Sequence, residues 1–246
     1  MAKRYTRKEL KRPDQFQTFW TRVYEFLKST TRPLAIGALA AVVVIAGIFL
    51  YVSLRDKRRA ESSKALAQAL RVLNSETGPQ LEDPDAAKDQ HEGDVPKFKT
   101  ETERRDAATK ALDKVIQDWG STAAGRDALL VRAGIYYDLG RQDDALRDYK
   151  TFLSKGPRGN LRAVAHEGLG YVYEAKGEHD RALEEFRLIT SAGEFYRDRS
   201  LYNQARVMER KGDKAAAQKL YQEILDKSPT TPLRDDISNR LALLQK

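Results

Sequence analysis

Residues Pro33 to Leu54, PLAIGALAAVVVIAGIFLYVSL, run for 22 positions without a charge, closed by Arg32 on one side and Arg55-Asp56-Lys57-Arg58-Arg59 on the other. A helix of that length, at about 1.5 Å per residue, measures about 33 Å, enough for a hydrocarbon core of about 30 Å. Apolar on every side, it has no face to turn toward water. It is expected to be a single transmembrane helix, and everything after Leu54 a tethered domain. A cleaved signal sequence fits less well, because its apolar core is about 7–15 residues followed by a small-x-small site. Here the run is longer and ends Tyr-Val-Ser-Leu-Arg.

Charge divides the 246 residues unevenly. The tail, residues 1–32, holds nine Lys and Arg against three acids, which leaves 35 bases and 33 acids for the rest of the chain. The basic character therefore belongs mostly to the tail, and the main domain lacks the excess that a nucleic-acid-binding face would require. There is no cysteine, which excludes disulfides, thiolate metal sites, catalytic thiols and a lipid-modified N-terminal cysteine.

Orientation is argued from two opposing signals. Within about 20 residues of the span, three Lys or Arg flank the N-side (Arg22, Lys28, Arg32) and six flank the C-side (Arg55, Lys57, Arg58, Arg59, Lys64, Arg71). That local count points to a cytoplasmic main domain. Long domains, however, translocate largely regardless of flanking charge. Moving a tail of net charge +6 outward would cost about 14 kcal/mol per 100 mV, at about 2.3 kcal/mol per charge. The expectation is tail inside and domain outside, at a bacterial inner membrane with the domain in the periplasm.

The tail has its own pattern. Asp14 with Gln17 three residues on reads as a helix cap. Phe16, Phe19, Trp20, Val23, Phe26 and Leu27 then make one aromatic-rich stripe opposite Arg22, Glu25 and Lys28. Such a helix suits anionic headgroups or the membrane-proximal surface of a partner. Within the span, Gly37 and Ala41 form a small-xxx-small pair.

Beyond the span the sequence repeats. Three segments align on Gly140, Gly177 and Gly212, which fall 37 and 35 residues apart, close to the tetratricopeptide (TPR) unit of about 34. A small residue stands seven before each glycine (Ala133, Gly170, Ala205) and a larger apolar one four before it (Tyr136, Tyr173, Met208). An alanine follows five after (Ala145, Ala182, Ala217), and an aromatic four later still (Tyr149, Phe186, Tyr221). This spacing predicts pairs of helices that approach at the small positions, each first helix ending at its glycine. Pro157 and Pro229 close repeats one and three, whereas repeat two ends Ser191-Ala192-Gly193, a looser connection.

A degenerate copy precedes these. Ala108, Leu112, Val115, Ile116 and Gly120 repeat the spacing of Ala145, Tyr149, Phe152, Leu153 and Pro157, with Ala60–Leu73 expected as the partner helix. An acidic, proline-bearing insert, residues 74–100, separates the two and reads as a loop or disordered segment. After Thr231-Pro232-Leu233 a last amphipathic helix should cap the stack. The expected fold is thus all-α: a transmembrane helix (33–54), a degenerate first pair (55–120), then TPR repeats and a capping helix (121–246).

In this order the layout resembles the ancillary subunit of the bacterial Sec translocon, the YfgM type. The likeness rests on the polar N-terminal segment, the single early span, the helix RRAESSKALAQAL, and the ending GDKAAAQKLYQEILDKSPTTPLRDDISNRLALL. The acidic insert and the basic tail are departures from that pattern. The resemblance implies an inner-membrane TPR scaffold that associates with translocon subunits and links export to periplasmic chaperones or exported chains. Another reading is an assembly factor for division, outer-membrane biogenesis or motility, and the local charge count keeps a cytoplasm-facing adaptor open.

Projecting the repeat places Leu130, Tyr137, Glu167, Tyr171, Glu174, Tyr202, Arg206, Glu209 and Arg210 on the concave, first-helix face, the expected site for a peptide. The competing expectation is that the tyrosines pack against neighbouring helices and the charges are solvated. No catalytic, metal or cofactor site is expected, nor any nucleic-acid or small-molecule partner. His91-Glu92-Gly93 and His166-Glu167-Gly168 lack the second histidine of a zinc helix, and Gly168-Leu169-Gly170 lacks the third glycine and the preceding strand of a dinucleotide loop. Membranes washed at high pH should retain the full chain, and deletion of residues 33–54 should release it to the soluble fraction, as fractionation and immunoblotting would show.

Overall fold

The computed structural model describes residues 15–78, 97–157, 159–189 and 193–245. Residues 1–14, most of the acidic insert and the Thr190-Ser191-Ala192 connection lie outside them, so the expectations for those segments do too. The described chain is helical, apart from one isolated parallel bridge between Thr77 and Phe98 that closes the base of the insert.

Two compact units divide at Arg58 and Arg59. In the first, helix α1 (Gln15–Leu73) carries the apolar run. From Leu39 to Leu54 its large apolar side chains all stand exposed, among them Val43, Ile45 and Phe49. By length and composition the helix qualifies as a membrane span. Of the aromatic stripe, Phe19 and Trp20 are described, both exposed and edge-to-face at 5.7 Å.

In the second unit, α2 (Glu101–Trp119) and the C-terminal turns of α1 contribute to one apolar cluster. Ala65, Leu66, Ala69, Val72 and Leu73 pack with Ala108, Leu112 and Val115, and the same cluster takes in Ala128 and Ile135 of α3. Three helical hairpins follow: α3 (Ala123–Asp138) with α4 (Gln142–Ser154), α5 (Asn160–Ala175) with α6 (His179–Arg187), and α7 (Glu194–Arg210) with α8 (Lys214–Lys227). Helix α9 (Arg234–Leu244) packs on α8. Thr100 caps α2 by accepting from the Glu103 N–H, Thr122 caps α3 from Gly125, and Asp213 caps α8 from Ala216.

The hairpin turns are copies of one another. Gly140, Gly177 and Gly212 have φ of 73°, 76° and 82°. In each case the next residue donates its N–H to a carbonyl five back: Arg141 to Tyr136, Glu178 to Tyr173, Asp213 to Met208. The small positions do what their spacing predicts. Ala133, Ala145, Ala182, Ala205 and Ala217 are fully buried. At Gly170 an added Cβ would sit 2.3 Å from the Phe186 ring, itself fully buried. The core of the middle repeats runs through Leu129, Tyr136, Phe152, Leu169, Tyr173 and Phe186, and a smaller cluster of Tyr221, Ile224 and Ile237 joins α8 to α9.

Gly170→Ala should therefore destabilise the domain by about 1–3 kcal/mol through overpacking, whereas Ala substitution of the exposed Lys219 should change it by less than about 0.5 kcal/mol. Urea unfolding followed by circular dichroism checks both.

Candidate functional site

Helix α3 approaches α5 directly, and α5 approaches α7, while α4, α6 and α8 show no comparable approach to one another among the described residues. The stack is closer on its first-helix side, which makes that side the inner face. The side chains on it meet across each joint.

At the α3–α5 joint the rings of Tyr137 and Tyr171 lie 6.3 Å apart. Behind them Tyr149 of α4 occupies space that a larger residue would close off: a Cβ at Gly168 would lie 2.3 Å from its ring, and one at Gly134 3.9 Å from its hydroxyl. Burial pushes the Tyr149 hydroxyl well above the usual phenol range, so it stays protonated and can donate.

At the α5–α7 joint two carboxylates are buried and satisfied. Glu167 Oε1 accepts from the Tyr171 hydroxyl at 2.9 Å, from Asn203 Nδ2 at 2.9 Å and from Arg199 Nε. Glu174 accepts from Arg206 Nη2 at 3.1 and 3.2 Å, and is paired with Arg210 Nε at 2.9 Å. The Arg206 guanidinium also lies 5.6 Å from the centre of the Tyr171 ring. Burial, followed by the neighbouring Glu167, raises the Tyr171 pKa.

At the α7–α9 joint the Tyr202 hydroxyl donates to Asp236, and Arg240 bridges Tyr202 at 3.0 Å and Glu209 at 3.1 Å. The Tyr202 hydroxyl and then Arg240 hold the Asp236 carboxyl below its ordinary range. Leu130 is half-buried against the central core.

All nine residues projected from the repeat thus lie on the first helices, and seven of them enter these inter-helix networks together with Tyr137 in its ring contact. What they have in common is each other. Glu167 and Glu174 are held by arginines of the next repeat, while Arg210, Tyr137 and Tyr202 keep part of their surface toward solvent. Four partners were not singled out from the sequence: Arg199, Asn203, Asp236 and Arg240. The first two stand three before Tyr202 and three before Arg206, on the stripe already recognised, and periodicity could have found them. A buried pair elsewhere carried no such signal. Asp148 of α4, 1% exposed, accepts from Arg132 Nε at 2.6 Å and Nη2 at 3.0 Å, and Arg132 also reaches Asp113 of α2. Burial opposes the charged form of Arg132, but bonds to Asp148 and Asp113 outweigh it and raise its pKa.

His166 is buried, its Nδ1 2.7 Å from Glu185 and its Nε2 3.5 Å from Arg162 Nε. His91 lies outside the described residues. Among the described residues no group of three or more His, Asp or Glu is placed to hold a metal ion. Two open clefts lie beside the C-terminal end of α1. One, of about 450 Å³, lies between the end of α1, Arg104 and Arg105 of α2, and Val131, Ile135 and Asp138 of α3. The other, of about 610 Å³, is lined by Leu70, Arg71, Asn74 and Lys97.

The architecture is that of a helical-repeat solenoid. The profile of the tetratricopeptide repeat-like domain family matches residues 24–246, and the chain belongs to that family. Its fold is a TPR-like protein-interaction scaffold. No curated protein sequence matches the chain. Among solved structures, two of MamA are similar at 20% identity over 58% of this chain. They are covered to 78% and 73%, with TM-scores of 0.48 and 0.47. A tetratricopeptide repeat protein from Parabacteroides merdae ATCC 43184 is similar at 15% identity over 58% of this chain and 55% of its own, with a TM-score of 0.49.

Asp148→Ala should destabilise the fold by about 1.5–3 kcal/mol, because it removes two hydrogen bonds from the mostly buried Arg132 guanidinium and leaves it Asp113 alone. Arg210→Gln should cost less than about 1 kcal/mol, since Glu174 keeps Arg206. Chemical denaturation of both variants tests the contrast.

Proposed function

We propose that the chain is a non-enzymatic, membrane-anchored TPR scaffold whose inner face holds proteins at the bacterial inner membrane. The observation that carries this reading is the union of two features in one chain. A helix with exposed apolar side chains from Leu39 to Leu54 precedes a solenoid whose first helices line up tyrosines and arginines. Rigid, amphipathic tyrosine and multivalent arginine suit contacts with peptide backbone and side chains.

The tail's charge supports a cytoplasmic N-terminus and a periplasmic domain. The order of segments, together with the helix RRAESSKALAQAL and the C-terminal GDK…TPL run, supports a place beside the Sec translocon. There the scaffold would connect translocon subunits to periplasmic chaperones or newly exported chains. The six Lys and Arg just after the span favour a second reading, a cytoplasm-facing adaptor.

A C-terminal alkaline phosphatase fusion separates the two. Activity places Lys246 in the periplasm, and inactivity with a fluorescent cytoplasmic reporter in its stead overturns the orientation. A photo-crosslinking amino acid at Tyr137 should trap translocon subunits, chaperones or exported chains, while the same group at Lys219 should not. Equal capture from both positions, or none from Tyr137, overturns the inner-face assignment.

A further inference from the structure

On the proposal that the inner face binds proteins, the charge pairs across α5 and α7 bear on what kind of segment sits there. The two sides of each pair lie at different depths. The Glu167 and Glu174 side chains are 8% and 4% exposed, whereas their partners Arg199 and Arg210 are 42% and 56% exposed. Counting Arg206, three guanidiniums overlie two buried carboxylates. The negative ends point into the fold and the positive ends outward, so a ligand meets cations first.

Apolar surface adjoins these cations. Val164 stands one turn before Glu167 on α5, with Leu161 one turn further back, and each is 39% exposed. Phe195, half exposed, lies 6.0 Å under the Arg199 guanidinium. Because Arg199 bonds Glu167, Phe195 and Val164 flank one charge pair, at the N-terminal ends of α5 and α7. The face is therefore apolar toward these helix starts and cationic toward their C-terminal ends.

We infer that the segment seated on α5 and α7 is acidic and amphipathic, setting carboxylates over Arg199 and Arg210 and apolar side chains on Val164 and Phe195. A guanidinium already holding one carboxylate retains donors for a second, because it carries five N–H groups. A basic segment would meet Arg199, Arg206 and Arg210 before it could reach the buried glutamates.

Two labelled 16-residue helical peptides, one of Glu and Leu and its Lys-for-Glu counterpart, test this against the full chain in zwitterionic nanodiscs, with empty discs subtracted. The Glu peptide should bind, and raising salt from 0.05 to 0.3 M should weaken it about tenfold, as expected of exposed charges. Phe195→Ser and Arg210→Gln should each weaken it about fivefold, the effect of an exposed contact of about 1 kcal/mol. Neither substitution strands a buried charge, and circular dichroism verifies that both variants fold. Equal or tighter binding of the Lys peptide, no binding of the Glu peptide, or an unchanged affinity in Phe195→Ser overturns the inference. The wider inner-face reading fails separately, on the crosslinks from Tyr137.

Discussion

The solenoid depends on helices coming close enough to share a core, and that closeness is set by a handful of small side chains. Ala133, Gly170 and Ala205 on the first helices, and Ala145, Ala182 and Ala217 on the second, let large neighbours such as Phe186 fill the space between. With no cysteine in the chain, no disulfide reinforces the stack. Each pair buries its apolar stripe only because the next pair covers it. The apolar cluster of α2 with the end of α1 covers α3 at one end of the repeats, and α9 covers the other through Ile237 against Tyr221 and Ile224.

The inner face is built on that packing and adds direction to it. The hydrophobic driving force is non-directional, and hydrogen-bonded charge pairs add directional contacts to the packing. Glu167 and Glu174, buried on α5 and bonded to α7, fix how those two first helices sit against each other, as Tyr202, Asp236, Arg240 and Glu209 do for α7 and α9. The buried carboxylates of Glu167 and Glu174 are tolerated because both are hydrogen-bonded. The pairing also exposes arginine and conceals glutamate. A face that is almost neutral by formula presents a cationic surface to whatever approaches it.

Much of this organisation is readable in the residues, and the reasons differ by element. The charge-free run, the glycine period and the alanine and aromatic offsets each follow from local geometry, since helix periodicity alone brings positions three and four apart onto one stripe. The same periodicity assigned the nine projected residues to first helices, where α3, α5 and α7 carry them. It could not tell that Glu167 and Glu174 are buried beneath arginines of the following repeat, because that depends on how two helices 30 residues apart are juxtaposed. The Arg132–Asp148–Asp113 group is a clearer case. Its three members come from three helices, at spacings that no single helix relates.

The sequence by itself determined that the chain carries a helix long and apolar enough to cross a membrane and a set of repeated helix pairs, because hydrophobic length and residue period are properties of neighbours along the chain. Only the tertiary structure decided which charges are buried, which partner each one finds and which sign faces outward. Those outcomes depend on distances across the stack, where burial and pairing, rather than residue type, govern what a charged group can do.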